Sequence, residues 1–281
     1  MTGKMQRITL LLAFMGIATV SAAESANAIR PAEGPIRLFN GKDLSGLSTW
    51  LKDTKTEDPR KVFRVTDGML HVTGDGYGYV ITDKEYRDYH AIVEFRWGTK
   101  TFDPRTMKAK DSGLLVHSVG EPGGYNGMWM PSIEVQIIEG GCGDFIMVMS
   151  APTQGPFSLT VESSRDRDGE VVWQTGGKRE TFKFQNRKRV NWSQRDPDWK
   201  DEIGFRGKND VESPAGQWTR MDVFCEGGHI QTFVNGVKVN EAFEVTPEAG
   251  RIQLQAELAE VFFRRWELWP IGKGPKPAKA E

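Results

Sequence analysis

Apolar residues in this chain recur at every second position in short runs, from Ile36 almost to the C-terminus. That alternation is the period of a β-strand with one buried face. It predicts strands at Val62–Val65, Met69–Val72, Tyr79–Ile81, Ala91–Trp97, Leu114–His117, Ile133–Ile138, Met221–Cys225, Ile230–Val234, Arg251–Gln255 and Phe262–Trp269. Asp67-Gly68 and Asn235-Gly236 each separate two such runs, and these dipeptides suit the positive φ angles of a two-residue hairpin turn. No window keeps a 3.6-residue apolar period, so helix is expected only as single turns at Lys84–Arg87 and Thr246–Ala249. Ten or more strands without βαβ alternation predict an all-β domain, a sandwich or jelly roll of antiparallel sheets.

The ends and one internal stretch break the pattern. Lys4 and Arg7 precede an apolar run from Ile8 to Val20 and then small residues to Ala28. That is the order of a secretory signal, with cleavage expected after Ala23 or Ala28 and the mature protein outside the cytoplasm. The run is too short to span a bilayer comfortably. A Pro/Gly linker is expected over 29–35, the strand domain over 36–271 and an unstructured Lys/Pro-rich tail over 272–281. Residues 165–214 are polar and poor in apolar runs. They read as a long insertion carrying one hairpin, Val171–Gln174 with Thr181–Phe184.

A formal net charge of −1 gives no basic face for nucleic acid. Export would permit the one bridge that Cys142 and Cys225 could form, but neither cysteine has a metal-ligand or nucleophile pattern around it. The chain holds 9 Trp. Three of them, Trp129, Trp192 and Trp199, lie in polar, loop-like stretches, where an indole can stack on a sugar ring or close over the core.

Side-chain parity carries the functional argument. In Ile133-Glu134-Val135-Gln136-Ile137 the apolar residues share one face, which leaves Glu134 and Gln136 on the other. Gln253, Gln255 and Glu257 likewise oppose Ile252, Leu254 and Ala256. Glu94 and Arg96 oppose Val93, Phe95 and Trp97, and His117 opposes Leu114 and Val116. A merely wet face is usually dressed with Lys, Thr and Ser. This one carries Glu, Gln, His and Arg, which make directional hydrogen bonds to hydroxyls. His117 titrates near neutrality, and Glu134 could act as a base if burial raised its pKa. Asp166-Arg167-Asp168-Gly169 lacks the further ligands of a calcium loop.

Several segments, in order, resemble a bacterial family of 3-keto-disaccharide hydrolases (3-keto-glucoside 1,2-lyase/3-keto-2-hydroxyglucal hydratases). They are Leu38-Phe39-Asn40-Gly41-Lys42-Asp43-Leu44-Ser45-Gly46, Tyr86-Arg87-Asp88-Tyr89, Glu94-Phe95-Arg96-Trp97, Asp111-Ser112-Gly113-Leu114-Leu115, Ile133-Glu134-Val135-Gln136, Gly216-Gln217-Trp218, Val234-Asn235-Gly236 and Ile252-Gln253-Leu254-Gln255. The resemblance runs from about Ile36 to Pro270 and departs from the family at Arg264-Arg265 and in the insertion. It implies a concanavalin/laminin-G-like jelly roll with a concave sugar-binding face. It also implies an enzyme that removes the C2 proton of a 3-keto-glycoside, expels the C1 substituent and hydrates the product. In that chemistry His117 or Glu134 would be the base and the other the acid, with Glu257 a second acid. Arg96, Gln136, Gln253, Gln255 and Trp129 would bind substrate, and a divalent metal could hold the enediolate. A non-catalytic carbohydrate-binding module and a laminin-G-type interaction domain are the alternatives. The partner expected is a small sugar or oligosaccharide.

Overall fold

The computed structural model describes residues 27–150, 157–183 and 188–280. Most of the expected leader therefore lies outside the described residues. No α-helix occurs among the described residues, and none of them forms a helix long and apolar enough to cross a membrane.

Two antiparallel sheets form a jelly-roll sandwich. The seven-stranded sheet runs, edge to edge, β13 (Arg189–Val190), β9 (Phe145–Val148), β8 (Ser132–Ile138), β7 (Asp111–Ser118), β17 (Arg251–Glu257), β5 (Tyr77–Thr82) and β2 (Leu47–Leu51). The larger sheet runs β11 (Val171–Trp173), β10 (Ser158–Arg165), β16 (Val237–Thr246), β15 (His229–Val234), β14 (Thr219–Glu226), β6 (Tyr89–Thr101), β18 (Ala259–Pro270), β4 (Met69–Val72) and β3 (Phe63–Thr66). In addition, β1 (Ile36–Arg37) pairs with β18, and β12 (Lys178–Lys183) pairs with β10. Asp67-Gly68 joins β3 to β4 and Asn235-Gly236 joins β15 to β16, and all four residues have positive φ.

The alternation predicted for each strand sorts it between core and outside. Ala91, Val93 and Phe95 of β6, with Met221 and Val223 of β14, meet Leu114, Val116, Ile133, Val135, Ile252 and Leu254 of the opposite sheet. Each large apolar side chain buried there contributes roughly 1.5–3 kcal/mol. Cys142 and Cys225 are both buried and unbridged. A second, smaller apolar cluster lies on the outer side of the seven-stranded sheet. There Tyr79, Ile81 and Leu115 meet Tyr125, Met128, Trp129 and Met130 of the loop after β7. That loop therefore folds back over one end of the sheet's outer face.

The expected hairpin between Val171–Gln174 and Thr181–Phe184 does not form. Strand β10 takes both segments as its own partners, Ser163–Arg165 against β11 and Ser158–Ser163 against β12. The end of the insertion is pinned by Glu212, which accepts hydrogen bonds from Trp97 Nε1 (2.5 Å) and the Gly140 backbone N–H (3.2 Å). The linker and tail are also held. Ile29 exchanges backbone bonds with Glu85 and Arg87, and Arg220 Nη2 donates to the Lys276 carbonyl at 3.2 Å.

Candidate active site

The outer face of the seven-stranded sheet brings together Asp111, Glu134, Gln136, Gln255 and Glu257, on β7, β8 and β17. Adjacent strands place Gly113 opposite Gln136 and Leu115 opposite Glu134, and β17 lies on the other side of β7. At the centre is Gly113. A Cβ there would stand 2.5 Å from Gln255 Oε1 and 2.5 Å from Glu134 Oε1, so the bare backbone keeps the two side chains side by side. Two arginines reach the same face from outside the central strands. Arg105 Nη2 lies 2.9 Å from Asp111 Oδ2 and 3.4 Å from Glu257 Oε1. Arg189, in β13, is fixed through Nε to Asp144 at 2.7 Å.

Burial decides the protonation of the two acids. Glu134 is 4% exposed, and desolvation, then the neighbouring Asp111 charge, pushes its pKa up to about 8. Burial also lifts Asp111 to about 6, against the pull of Arg105 and Arg189. Between those values the pair holds one proton, a property of the two carboxyls together. Buried polar atoms without a partner among the described residues gather here. They are Asp111 Oδ1, Gln136 Oε1, Arg105 Nε, Arg189 Nη2 and both amide atoms of Gln255, which lies beside Glu134 without closing a hydrogen bond of normal geometry. Left unmet, each such atom costs roughly 1–3 kcal/mol, so the face is built to meet polar ligand groups or solvent.

Four sequence expectations are altered. His117 is in the inter-sheet core, fully buried, with its ring edge-on to core residue Tyr89 at 6.2 Å. A bulge between Leu115 and Ser118, with His117 at φ 54°, adds a residue to β7 and reverses the side chain's face. Arg96 is on the outer face of the other sheet, over Trp218 at 4.8 Å, with the whole sandwich between it and Glu134. Gln253 is on the predicted face, but its amide serves the overlying loop. It donates to Ser118 Oγ (2.7 Å) and the Met130 carbonyl (3.3 Å) and accepts from the Met130 N–H. Trp129 is buried in that loop, giving its Nε1 to the Gly78 carbonyl and one face to Tyr125, so it walls the site without presenting an open ring. Asp111, Gly113, Arg105 and Arg189 were not expected. Parity from Leu115 places the first two on this face, whereas Arg105 arrives from a turn and Arg189 from the two-residue strand β13, too short to show a period.

Two hollows lie elsewhere. One, of about 830 Å³, sits under the tail on the far sheet, where Glu94 and Glu267 are already paired with Arg264 and Arg265. The other, of about 310 Å³, adjoins Arg189. Burial also raises Glu212, to about 8, and Asp210, but Glu212 is spent on Trp97, Gly140 and Arg206. On the seven-stranded sheet the raised acids adjoin several buried polar atoms without a partner among the described residues, and that coincidence marks the site.

A family model described as the 3-keto-alpha-glucoside-1,2-lyase-like domain matches residues 34–268. The chain belongs to that family. No curated protein matches the sequence. Among solved structures, the chain is similar to two candidate glycosyl hydrolases from Parabacteroides distasonis. One is 17% identical with a TM-score of 0.49, covering 90% of this chain and 98% of that one. The other is 18% identical with a TM-score of 0.48, covering 83% and 98%. A carbohydrate binding module from Bacillus subtilis is 9% identical with a TM-score of 0.42, covering 79% and 93%. In this lyase-like domain no three His, Cys, Asp or Glu side chains among the described residues converge to hold a metal ion. Asp111 is also engaged by Arg105. These side chains do not fit a divalent metal.

The placement of His117 predicts how its loss should behave. Burial lowers its pKa to about 4, below the ordinary 6.5, so its stabilising neutral state is complete above pH 6.5 and lost as pH falls toward 4. The penalty at the acid end approaches about 3 kcal/mol. His117→Asn tolerates the positive φ and takes no proton. It should turn over substrate as the wild type does and lose less melting temperature between pH 7 and pH 4.5. A folded variant that had lost activity would return the imidazole to the chemistry.

Proposed function

We propose that this face cleaves 3-keto-glycosides by elimination and hydration, with Asp111 as base and Glu134 as acid. The observation that carries the reading is a pair of buried carboxyls sharing one proton near neutrality, set among amide groups with open hydrogen-bonding capacity. A 3-keto group acidifies the C2 hydrogen. Asp111, kept ionised beside Arg105, takes that proton, and its electron pair forms the enediolate. As the enediolate collapses the C1–O bond breaks, and Glu134 protonates the departing oxygen. Water then adds at C1, giving its proton to Glu134 while Asp111 returns its own to C2, which restores both groups. Gln136 and Gln255 would hold ring hydroxyls, and Glu257 would keep Arg105 aimed at Asp111.

The active form requires Asp111 ionised and Glu134 protonated. On a 3-keto-glucoside, kcat/KM should rise through about pH 6 and fall through about pH 8. Substrate deuterated at C2 should react more slowly than the protiated form. Equal rates for the two substrates together with a flat profile from pH 5 to 9 would remove the reading.

A further inference from the structure

We propose that Arg189, carried by the polar insertion, is a catalytic residue of this face, the donor that holds the negative charge of the enediolate. The inference rests on the reaction just described and supplies the electrophile that reaction needs. Removing the C2 proton moves charge onto the C3 oxygen, and a preorganised donor at that position is a large part of catalysing such a step.

Arg189 lies opposite Ile146 of β9, whose side chain packs with the aromatic cluster on the sheet's outer face, so Arg189 points to that face too. One end of its guanidinium is held firmly. Nε donates to Asp144 Oδ2 at 2.7 Å, and fully buried Asp144 is itself fixed by Arg195 Nη1 at 2.9 Å and the Trp192 N–H at 2.7 Å. At the other end, Nη2 is buried without a partner among the described residues. Arg189, Ile146 and Glu134 form one row across β13, β9 and β8, and the Arg189 charge acts on both Asp111 and Glu134. The 310 Å³ hollow, lined also by Asp166, Glu170, Asn191, Arg195 and Trp199, borders the same side chain. Arg105 is a poorer choice, being shared among Asp111, Glu257, Asp201 and the Ala109 carbonyl. An arginine that only tied the insertion to Asp144 would need no second buried nitrogen on the outer face of the sheet.

The test compares Arg189→Ala, Arg189→Lys and Asp144→Asn on a 3-keto-glucoside, with melting curves as the check on folding. Arg189→Ala should lose about 10²–10³-fold in kcat with little change in KM, the cost of removing one oxyanion donor. Added guanidinium should restore part of that rate. Both limbs of the pH profile should move upward, since the carboxyls lose a neighbouring cation. Arg189→Lys should recover only in part, and it carries the test if the alanine variant fails to fold. In Asp144→Asn, where Arg189 is present but loosely held, kcat should fall less and guanidinium should not help. Wild-type kcat in folded Arg189→Ala would overturn the proposal, as would a loss with neither rescue nor a shifted profile. If Glu134→Gln is inactive while Arg189→Ala is normal, only this inference falls. A wild-type protein inert toward 3-keto-glucosides removes the underlying reaction with it.

Discussion

Glu134→Gln is expected to lose about 10²–10⁴-fold in kcat/KM on a 3-keto-glucoside and yet to melt higher than the wild type in alkaline solution. Both effects come from burial. The folded protein raises the Glu134 pKa to about 8, while an unfolded chain would hold it near 4.3. The folded state therefore binds the extra proton between those values. Stability declines as pH rises through that window, and the full penalty is present above about 8. A shift of that size corresponds to at most about 5 kcal/mol, and local relaxation would bring the observed figure nearer 2. Glutamine has the same shape, no proton to lose and no charge to desolvate. The gap in melting temperature should be small at pH 5 and should widen at pH 7 and again at pH 9. Asp111→Asn should be comparably inactive, but it gives up the ion pair with Arg105 and should gain no such stability. Retained activity in Glu134→Gln would dismiss the acid. A melting difference independent of pH would dismiss the raised pKa that makes it one.

What could be read from the chain follows the range of each physical signal. Local signals held: Asp67-Gly68 and Asn235-Gly236 turn the hairpins expected of them, and the alternation in β8 and β17 puts Glu134, Gln136, Gln255 and Glu257 on one face. Parity, however, fixes a side chain only relative to its own sheet. Glu94 and Arg96 oppose their apolar neighbours as surely as Glu134 does, but β6 belongs to the other sheet, so "away from the core" there means the far side of the molecule. Parity also assumes an unbroken pleat. One added residue in β7 is enough to send His117 inward.

Non-local pairing was out of reach for the same reason. Whether β11 and β12 prefer each other or β10 depends on an edge that β10 supplies. Arg105 reaches Asp111 from the irregular turn before β7, and Arg189 reaches the face from the insertion, tens of residues away in sequence from Asp111 and Glu134. Asp111 was legible, since it shares parity with Leu115. Its charge is an ambiguous signal, because it opens the strand, where an aspartate commonly ends a turn.

Gly113 gives the sharpest separation between folding and chemistry. Its backbone is not among those with positive φ, so alanine can adopt the same conformation. Glycine inside a strand is weaker than alanine by roughly 0.5–1 kcal/mol, so local stability does not favour it here. Its place in a central strand, with Gln136 opposite on β8 and β17 along the other edge, is that of a residue kept small for something that comes close. In Gly113→Ala the new methyl group would press on Gln255 Oε1 and Glu134 Oε1, both at 2.5 Å. These are the ends of flexible side chains, so they can swing away and let the sheet fold. Once displaced, however, the acid no longer points where the departing oxygen leaves. A displacement of about 1 Å in a reacting group can cost about 10²-fold, and Gly113→Ala should lose at least that in kcat/KM while melting within a few degrees of the wild type. Gly113→Val should lose more. Full activity in folded Gly113→Ala would mean that substrate never enters the gap, and the acid–base pair would have to be sought on another part of the face.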